Sequence, residues 1–158
     1  MCQLSRICFR EMVCRSVPVG TIRSMRIILT GDRFWACHKL VEAILRRLVS
    51  RYGTGIEIAH GDDTGVDDAV AAICRGFRIR AIACPCDWDR LGGDAEIFRN
   101  RELVRAGADL CVIVCRTMLG KGMKDLARQA IMAGVPTYLI EDERAVPKRL
   151  RAGDGRLT

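Results

Sequence analysis

Apolar runs and stripes of apolar residues at helical spacing alternate along the chain from Met25 onward. The run Arg26-Ile27-Ile28-Leu29-Thr30 ends at Gly31, which is typical of a strand buried on both faces of a parallel sheet. Aliphatic residues between Leu40 and Val49 then recur at helical spacing, and Gly53 ends the predicted helix. The first segment of the domain is therefore a strand followed by an amphipathic helix.

The same alternation continues to residue 140. Further strands are predicted at 56–59, 79–84, 110–115 and 135–140, and further helices at 66–73, in a segment ending near Gly107, and at 123–131. This order predicts an α/β fold, a Rossmann-like three-layer sandwich with a five-stranded, mainly parallel sheet. We assign residues 25–141 to this domain, residues 1–24 to an N-terminal extension that we expect to be poorly ordered, and residues 142–158 to a C-terminal tail.

Composition and charge narrow the class of partner. The 158 residues are 49% hydrophobic but only 5% aromatic, so aliphatic side chains and cysteines must form the core. The net charge is +7, yet residues 25–140 hold 17 basic and 14 acidic residues. This near balance disfavours nucleic acid as a partner and favours a small anionic ligand. No apolar run reaches the roughly 18–20 residues of a membrane span, so we expect no membrane partner and a cytoplasmic location.

Nine cysteines invite a disulfide or metal interpretation, but their pattern supports neither. Their number is odd and no CxxC pair occurs, so a disulfide framework is not expected and a reducing compartment is favoured. Cys84-Pro85-Cys86 lacks a second paired spacing for zinc, and packing thiols are the simpler interpretation. We expect neither a metal nor a cofactor.

The predicted topology places ligands beyond the carboxyl ends of the strands, where the strand order reverses. Polar and glycine residues gather in the loops at those ends. In the loop after the fourth strand, Gly120 and Gly122 flank Lys121 just before a helix, an arrangement that can leave backbone amides free to bind a phosphate, although it also occurs as a tight connection alone. No GxGxxG follows the first strand and no GxxxxGK[ST] occurs, which excludes the standard dinucleotide and P-loop motifs.

Four motifs in these loops resemble the SLOG superfamily, which joins the Smf/DprA DNA-processing proteins and the Lonely Guy phosphoribohydrolases. The resemblance covers roughly Met25 to Ile140 and is strongest to the YspA/YpsA-related branch. The motifs are Gly-x-Arg-x-Trp after the first strand, His-Gly-x-x-x-Gly-x-Asp after the second, Asp-Trp leading to Arg-Asn, and a glycine turn that opens the last helix. The corresponding ligand-binding candidates here are Gly31, Arg33, Trp35, His60, Gly61, Gly65, Asp67, Asp87, Trp88, Asn100, Gly120, Lys121 and Gly122.

The Lonely Guy enzymes hydrolyse the N-glycosidic bond of nucleoside monophosphates with an arginine and a glutamate. By that resemblance Arg99 and Asp125 are the catalytic candidates, and Asp125 is one methylene shorter than the family's glutamate. Two departures bear on this comparison. Met123 replaces the usual threonine, and Asp62-Asp63 stand where glycine and small residues are commoner.

Structural roles explain several candidates equally well. Arg99 can pair with neighbouring glutamates on a helix surface, and Asp67 and Asp125 suit a first helical turn. Trp35 and Trp88 can stack on a base or cover the edge of the core. The leading hypothesis is a binding domain for a nucleotide-like small molecule, acting as a sensor or processing component. The alternatives are a nucleotide N-glycosidase and a single-stranded DNA-handling protein, and a homodimer is compatible with each.

Overall fold

The computed structural model describes residues 24–116 and 120–158. The predicted extension, apart from Ser24, lies outside the described residues. The described strands are β1 (Arg26–Gly31), β2 (Glu57–His60), β3 (Arg80–Ala83), β4 (Leu110–Val114), β5 (Thr137–Ile140) and β6 (Lys148–Leu150). The helices are α1 (His38–Tyr52), α2 (Val66–Phe77), α3 (Trp88–Leu91), α4 (Ala95–Arg105) and α5 (Lys121–Met132), with 3-10 turns at Gly92–Asp94 and Gly155–Leu157.

The strands form one sheet in the order β3-β2-β1-β4-β5-β6. All neighbours are parallel except β5 and β6. Ile28 lies at the centre of the sheet, in register with Ala59 of β2 and Cys111 of β4. The predicted α/β class and Rossmann-like sandwich are therefore confirmed.

Two apolar clusters cover the two faces of the sheet. Ile27 and Leu29 pack with α1 and α2, whereas Ile28 packs with Leu103 of α4 and Leu126 of α5. Successive β1 side chains point to opposite faces, and both faces are buried. This arrangement explains why β1 is a continuous apolar run in the sequence.

The sheet has six strands instead of the predicted five. The segment assigned to the tail supplies β6, which pairs antiparallel with β5 through Tyr138 and Arg149. Of the three β6 residues only Leu150 is buried, so this edge strand lacks the apolar run that marks the others. The last residues then pack on α5, where Arg128 donates a hydrogen bond to the carbonyl oxygen of Leu157.

The connection between β3 and α4 is also more ordered than the sequence pattern indicated. Residues predicted as a loop form the short helix α3 and a 3-10 turn. The carboxylate of Asp87 caps α3 by accepting a hydrogen bond from the amide of Arg90 at 3.2 Å. Asp87 therefore has a local role at a helix end.

Close backbone contact between β1 and β4 fixes the start of the loop after β1. Gly31 ends β1, and the next amide, of Asp32, donates to the carbonyl oxygen of Val114 at 2.9 Å. A Cβ atom at Gly31 would lie 1.9 Å from that same oxygen. Glycine is required here because no side chain fits between the two strands.

We expect Gly31→Ala to lower the free energy of unfolding by about 3 kcal/mol, because the two backbones must separate to admit the methyl group. Gly55→Ala is the matched control, since nothing lies within 4 Å of a Cβ added there. Its effect should stay within about 0.5 kcal/mol. Urea denaturation of both variants tests this, and equal stabilities would contradict the close contact.

Candidate functional site

An open cavity of about 340 Å³ lies at the carboxyl ends of β1 and β4. The chain adds β2 and β3 on one side of β1 and then crosses over to add β4 and β5 on the other side. The strand order therefore reverses between β1 and β4. This is the position where open α/β sheets bind ligands. The lining residues are Thr30, Gly31, Asp32, Arg33, Phe34, Asp63, Asp67, Glu96, Arg99, Asn100, Gly120, Lys121, Gly122, Met123 and Leu126.

A tight turn after β1 decides which aromatic side chain reaches the cavity. The carboxylate of Asp32 accepts a hydrogen bond from the amide of Phe34 at 2.8 Å, and the carbonyl of Asp32 accepts one from Trp35. Phe34 consequently points outward and is 88% exposed at the cavity rim, while Trp35 is buried in the core. The guanidinium of Arg116 lies 5.4 Å from the Trp35 ring. Trp35 therefore has a packing role.

The loop after β2 is docked directly on the loop after β1. Thr64 donates its hydroxyl hydrogen to the carbonyl oxygen of Arg33 at 2.9 Å. Gly65 has φ +71°, and a Cβ there would lie 2.4 Å from the carbonyl oxygen of Asp32. Gly65 thus permits the two loops to touch. Gly65 does not line the cavity itself, but this contact positions Asp63 and Asp67 there.

Arg99 enters the cavity from α4 in a defined orientation. Its Nη1 donates to the carbonyl oxygen of Gly61 at 3.1 Å, and its Nε donates to Oδ1 of Asn100 at 3.1 Å. A Cβ at Gly61 would lie 2.3 Å from Nη1, so this glycine leaves room for the guanidinium to cross the end of β2. Arg99 makes no ion pair with any carboxylate in residues 24–116 and 120–158.

Arg33, the second cavity arginine, is already engaged by carboxylates. Its Nη2 lies 2.5 Å from Oε1 of Glu96 and 3.2 Å from Oδ2 of Asp63. The Glu96 carboxylate also lies against the first turn of α5, since a Cβ at Gly122 would come within 2.2 Å of its Oε2. An anion that approaches Gly122 must therefore displace Glu96.

Asn100 holds the first turn of α5 against α4. Its side chain is fully buried, and Nδ2 donates to the carbonyl oxygen of Gly122 at 2.8 Å and to Oδ2 of Asp125 at 2.9 Å. The same Asp125 oxygen accepts a hydrogen bond from Nε2 of Gln129 at 2.7 Å. Asp125 does not line the cavity, and its carboxylate joins α4 to α5.

Asp67 is the buried carboxylate of the cavity. It is 2% exposed, and its Oδ2 accepts a hydrogen bond from the amide of Asp63 at 3.2 Å. Burial raises the pKa of Asp67, an effect that the Thr30 hydroxyl and the amides of Gly61 and Asp63 partly offset. Oδ1 accepts no hydrogen bond of acceptable geometry from the described residues.

His60, at the end of β2, lies beneath this loop and outside the cavity. It is 2% exposed, and its Nδ1 accepts a hydrogen bond from the amide of Asp62 at 3.3 Å. Burial lowers the pKa of His60, with the charges of Asp67 and Asp62 acting in the opposite direction. The imidazole is therefore neutral at pH 7 and supports the turn locally.

The structure brings together only part of the set of candidates from the sequence. Those that line the cavity are Gly31, Arg33, Asp67, Arg99, Asn100, Gly120, Lys121 and Gly122; those that do not are Trp35, His60, Gly61, Gly65, Asp87, Trp88 and Asp125. Gly61 and Gly65 shape the site from behind it, and Trp88 is 48% exposed elsewhere on the surface.

The lining also includes residues that were not candidates. Glu96 is one of the neighbouring glutamates that the sequence pairs with Arg99 on the helix surface, whereas in the structure it contacts Arg33, 63 residues away in the sequence. Phe34 also lines the cavity, although the sequence motif points to the neighbouring Trp35. The available signal was the Asp-x-Phe spacing of the turn, which predicts an Asx turn but not which ring points outward.

The part of the chain that the structure describes contains neither a metal-binding cluster nor a membrane-spanning helix. No cluster of three or more His, Cys, Asp or Glu side chains there is arranged to hold a metal ion. Cys84 and Cys86 are half-buried free thiols, and burial raises the pKa of both. Among the described helices, none is both long and apolar enough to cross a bilayer.

Comparisons with known proteins agree with the motifs and the fold. A profile of the YspA, cpYpsA-related SLOG family (YAcAr) matches residues 25–91. The Gene 61 protein of Mycobacterium phage D29 is 32% identical over 125 residues, which cover 75% of this chain and 98% of the phage protein. The crystal structure of translation initiation factor eIF-2B from Pyrococcus horikoshii OT3 has a similar fold. Its TM-score is 0.50 at 15% identity, over 84% of this chain and 46% of that one.

The sheet order and the cavity at the strand reversal define a Rossmann-like α/β protein. The chain belongs to the YspA, cpYpsA-related SLOG family. This membership confirms the resemblance seen in the sequence motifs. The matched segment contains the loops after β1 and β2, whereas Arg99 and the first turn of α5 lie beyond it.

The raised pKa of Asp67 predicts a particular pH dependence of stability. The folded protein holds this proton more tightly than the unfolded chain, so the contribution is fully present below the ordinary Asp pKa of about 3.9 and is lost as the pH rises through the raised value. We therefore expect wild type to gain stability relative to Asp67→Asn as the pH falls from neutrality through the raised pKa toward the ordinary Asp pKa of about 3.9. Urea denaturation at several pH values measures this difference.

Asp68→Asn is the control for that series, because Asp68 is the next residue in the first turn of α2 and is exposed. It should show a much smaller pH-dependent difference from wild type. A difference for Asp67→Asn that does not change with pH would contradict the burial of an ionisable carboxyl group at this position.

Proposed function

We propose that this chain binds a nucleotide or a nucleotide-derived phosphate ligand in the cavity at the ends of β1 and β4, as a sensor or processing component. The observation that carries the proposal is the guanidinium of Arg99. It lines the cavity, is held by Gly61 and Asn100, and makes no ion pair within residues 24–116 and 120–158. Phosphate oxygens are preferred partners for a guanidinium in this state.

The first turn of α5 supports the same anion site from the opposite wall. Gly120 and Gly122 line the cavity at the helix start, where the backbone amides lack partners within the helix, and Lys121 adds a positive charge. Glu96 lies against Gly122 in the structure, and Arg33 is its partner. In the proposed complex, the phosphate of the ligand replaces the Glu96 carboxylate at Gly122. Arg33, no longer paired with Glu96, then becomes available to pair with the ligand.

The rim of the cavity supports the nucleotide part of the proposal. The ring of Phe34 is 88% exposed beside the cavity, and a base stacked on an aromatic side chain gains about 1–3 kcal/mol. The volume of about 340 Å³ falls at the lower end of the range of about 300–1,000 Å³ that is usual for small-molecule sites. A mononucleotide is the size of ligand that these features suit.

Single-stranded DNA handling receives less support from the cavity. Four carboxylates line it, beside three cationic side chains. A binding groove for a polyanion would be expected to carry a clear excess of positive charge.

We expect Arg99→Gln to weaken binding of AMP by roughly 100-fold, because the substitution removes a charge-assisted hydrogen bond to the phosphate. Arg101→Gln is the matched control, since Arg101 lies exposed on the same helix and does not line the cavity. Calorimetric titration measures both. ADP-ribose and cyclic nucleotides extend the series by thermal shift, where a ligand at 100 times its dissociation constant adds about 2.7 kcal/mol of stability. Equal affinities in the two variants, or no binding of any nucleotide to wild type, would contradict the proposal.

The N-glycosidase alternative requires a carboxylate beside the sugar carbon that loses its base. Asp125 lies outside the cavity, and its Oδ2 accepts hydrogen bonds from Asn100 and Gln129. We therefore expect no free base when the protein is incubated with the common nucleoside monophosphates and the mixture is separated by chromatography. Base release that disappears in Asp125→Asn would establish the hydrolase instead.

A further inference from the structure

A carboxylate of the chain itself lies at the proposed phosphate position. Glu96 is in the first turn of α4, and its Oε1 is 2.5 Å from Nη2 of Arg33 in the loop after β1. Its Oε2 lies against the first turn of α5, because a Cβ at Gly122 would be 2.2 Å from that oxygen. The Glu96 side chain therefore connects the loop after β1, α4 and α5 across the cavity.

Glu96 takes a distant partner in preference to a nearer one in the sequence. Arg99 would be its expected partner on an isolated helix, since residues three apart are neighbours on the helix surface. Among the described residues, however, the ion pair of Glu96 is with Arg33, and none joins it to Arg99. The guanidinium of Arg99 donates instead to oxygens of Gly61 and Asn100. One cavity arginine is thus neutralised by a carboxylate of the chain, and the other makes no ion pair.

The contact between Glu96 and Arg33 can be exchanged without leaving a buried charge unpaired. The Glu96 side chain is 24% exposed, so a rotation toward the solvent keeps its carboxylate hydrated and frees the space at Gly122. Arg33 retains a second partner, because Oδ2 of Asp63 lies 3.2 Å from the same nitrogen. Ion pairs at this level of exposure contribute little to stability. An incoming phosphate can therefore compete with the carboxylate.

We infer that Glu96 is an autoinhibitory residue, whose carboxylate occupies the position of the ligand's phosphate and lowers the affinity of the cavity for phosphate-bearing ligands. The inference rests on the proposed function and adds a means of regulation to it. Only the molecules in which Glu96 has moved away can accept the phosphate, so the apparent dissociation constant rises in inverse proportion to their fraction. The site therefore fills at a higher ligand concentration than it would without Glu96.

The first variant removes the charge of the competing side chain. We expect Glu96→Gln to bind AMP about three- to tenfold more tightly than wild type, because a neutral amide competes poorly for Arg33. Calorimetric titration of the full chain measures this. Adenosine has no phosphate, so its affinity should be the same in both proteins. Glu102→Gln is the matched control, since Glu102 is exposed on the same helix and does not line the cavity, and it should bind AMP as wild type does.

A second variant, Glu96→Asp, separates occupation of the site from simple repulsion between charges. Aspartate keeps the negative charge, but its side chain is one methylene shorter, which withdraws the carboxylate from Arg33 and Gly122. We therefore expect Glu96→Asp also to bind AMP more tightly than wild type. Charge repulsion alone would leave its affinity at the wild-type value.

The other outcomes overturn the inference in recognisable ways. If Glu96→Gln binds AMP no more tightly than wild type, the proposed nucleotide function stands and the autoinhibitory role is wrong. The same conclusion follows if Glu96→Asp keeps the wild-type affinity, or if Glu102→Gln gains as much as Glu96→Gln. If neither wild type nor any variant binds a nucleotide, the proposed function itself fails. Glu96→Asp alone decides the matter if Glu96→Gln does not fold.

Discussion

The buried amide of Asn100 is the contact on which the geometry of the site depends. It accepts a hydrogen bond from Arg99 and donates to Gly122 and Asp125, so one side chain fixes the cavity arginine and joins α4 to the start of α5. Because the amide is fully buried, no water can replace these partners without opening the interface between the two helices. Aspartate has the same shape but cannot donate, and alanine removes the donor to both Gly122 and Asp125. Both the oxygen and the NH2 group of the Asn100 side chain are therefore needed at this position.

Close backbone contacts extend this constraint to the other two loops. Gly31 lets the loop after β1 start against β4, and Gly65 lets the loop after β2 rest on it. Asp62 has φ +59°, a conformation that aspartate tolerates better than most residues and that glycine adopts freely. This explains how aspartate is accommodated at a position where the family resemblance implies glycine or a small residue. The candidates Gly61 and Gly65 thus serve the cavity by shaping the backbone around it.

The sequence predicted the layers and the end of the sheet that carries the cavity, because strands buried on both faces leave unbroken apolar runs such as 27–29 and 110–114. It did not predict β6, an edge strand of three residues with one buried side chain. The sequence also did not show which of the adjacent rings of Phe34 and Trp35 is exposed. That depends on the turn at Asp32, which directs Phe34 outward and Trp35 into the core. The contact of Arg33 with Glu96 joins positions 63 residues apart, and spacing along one helix carries no signal for it.

Residues of the same type differ in the site according to which of their polar atoms have partners. Arg33 is held by two carboxylates, whereas Arg99 is oriented by a carbonyl and an amide oxygen and makes no ion pair among the described residues. Asp125 accepts two hydrogen bonds at one oxygen and joins two helices, whereas Asp67 keeps a buried oxygen without a donor. A fold selected for stability alone would be expected to remove such an unpaired group, because replacing or pairing it lowers the free energy of the folded state. This local cost lies at the cavity, close to the arginine that makes no ion pair among the described residues.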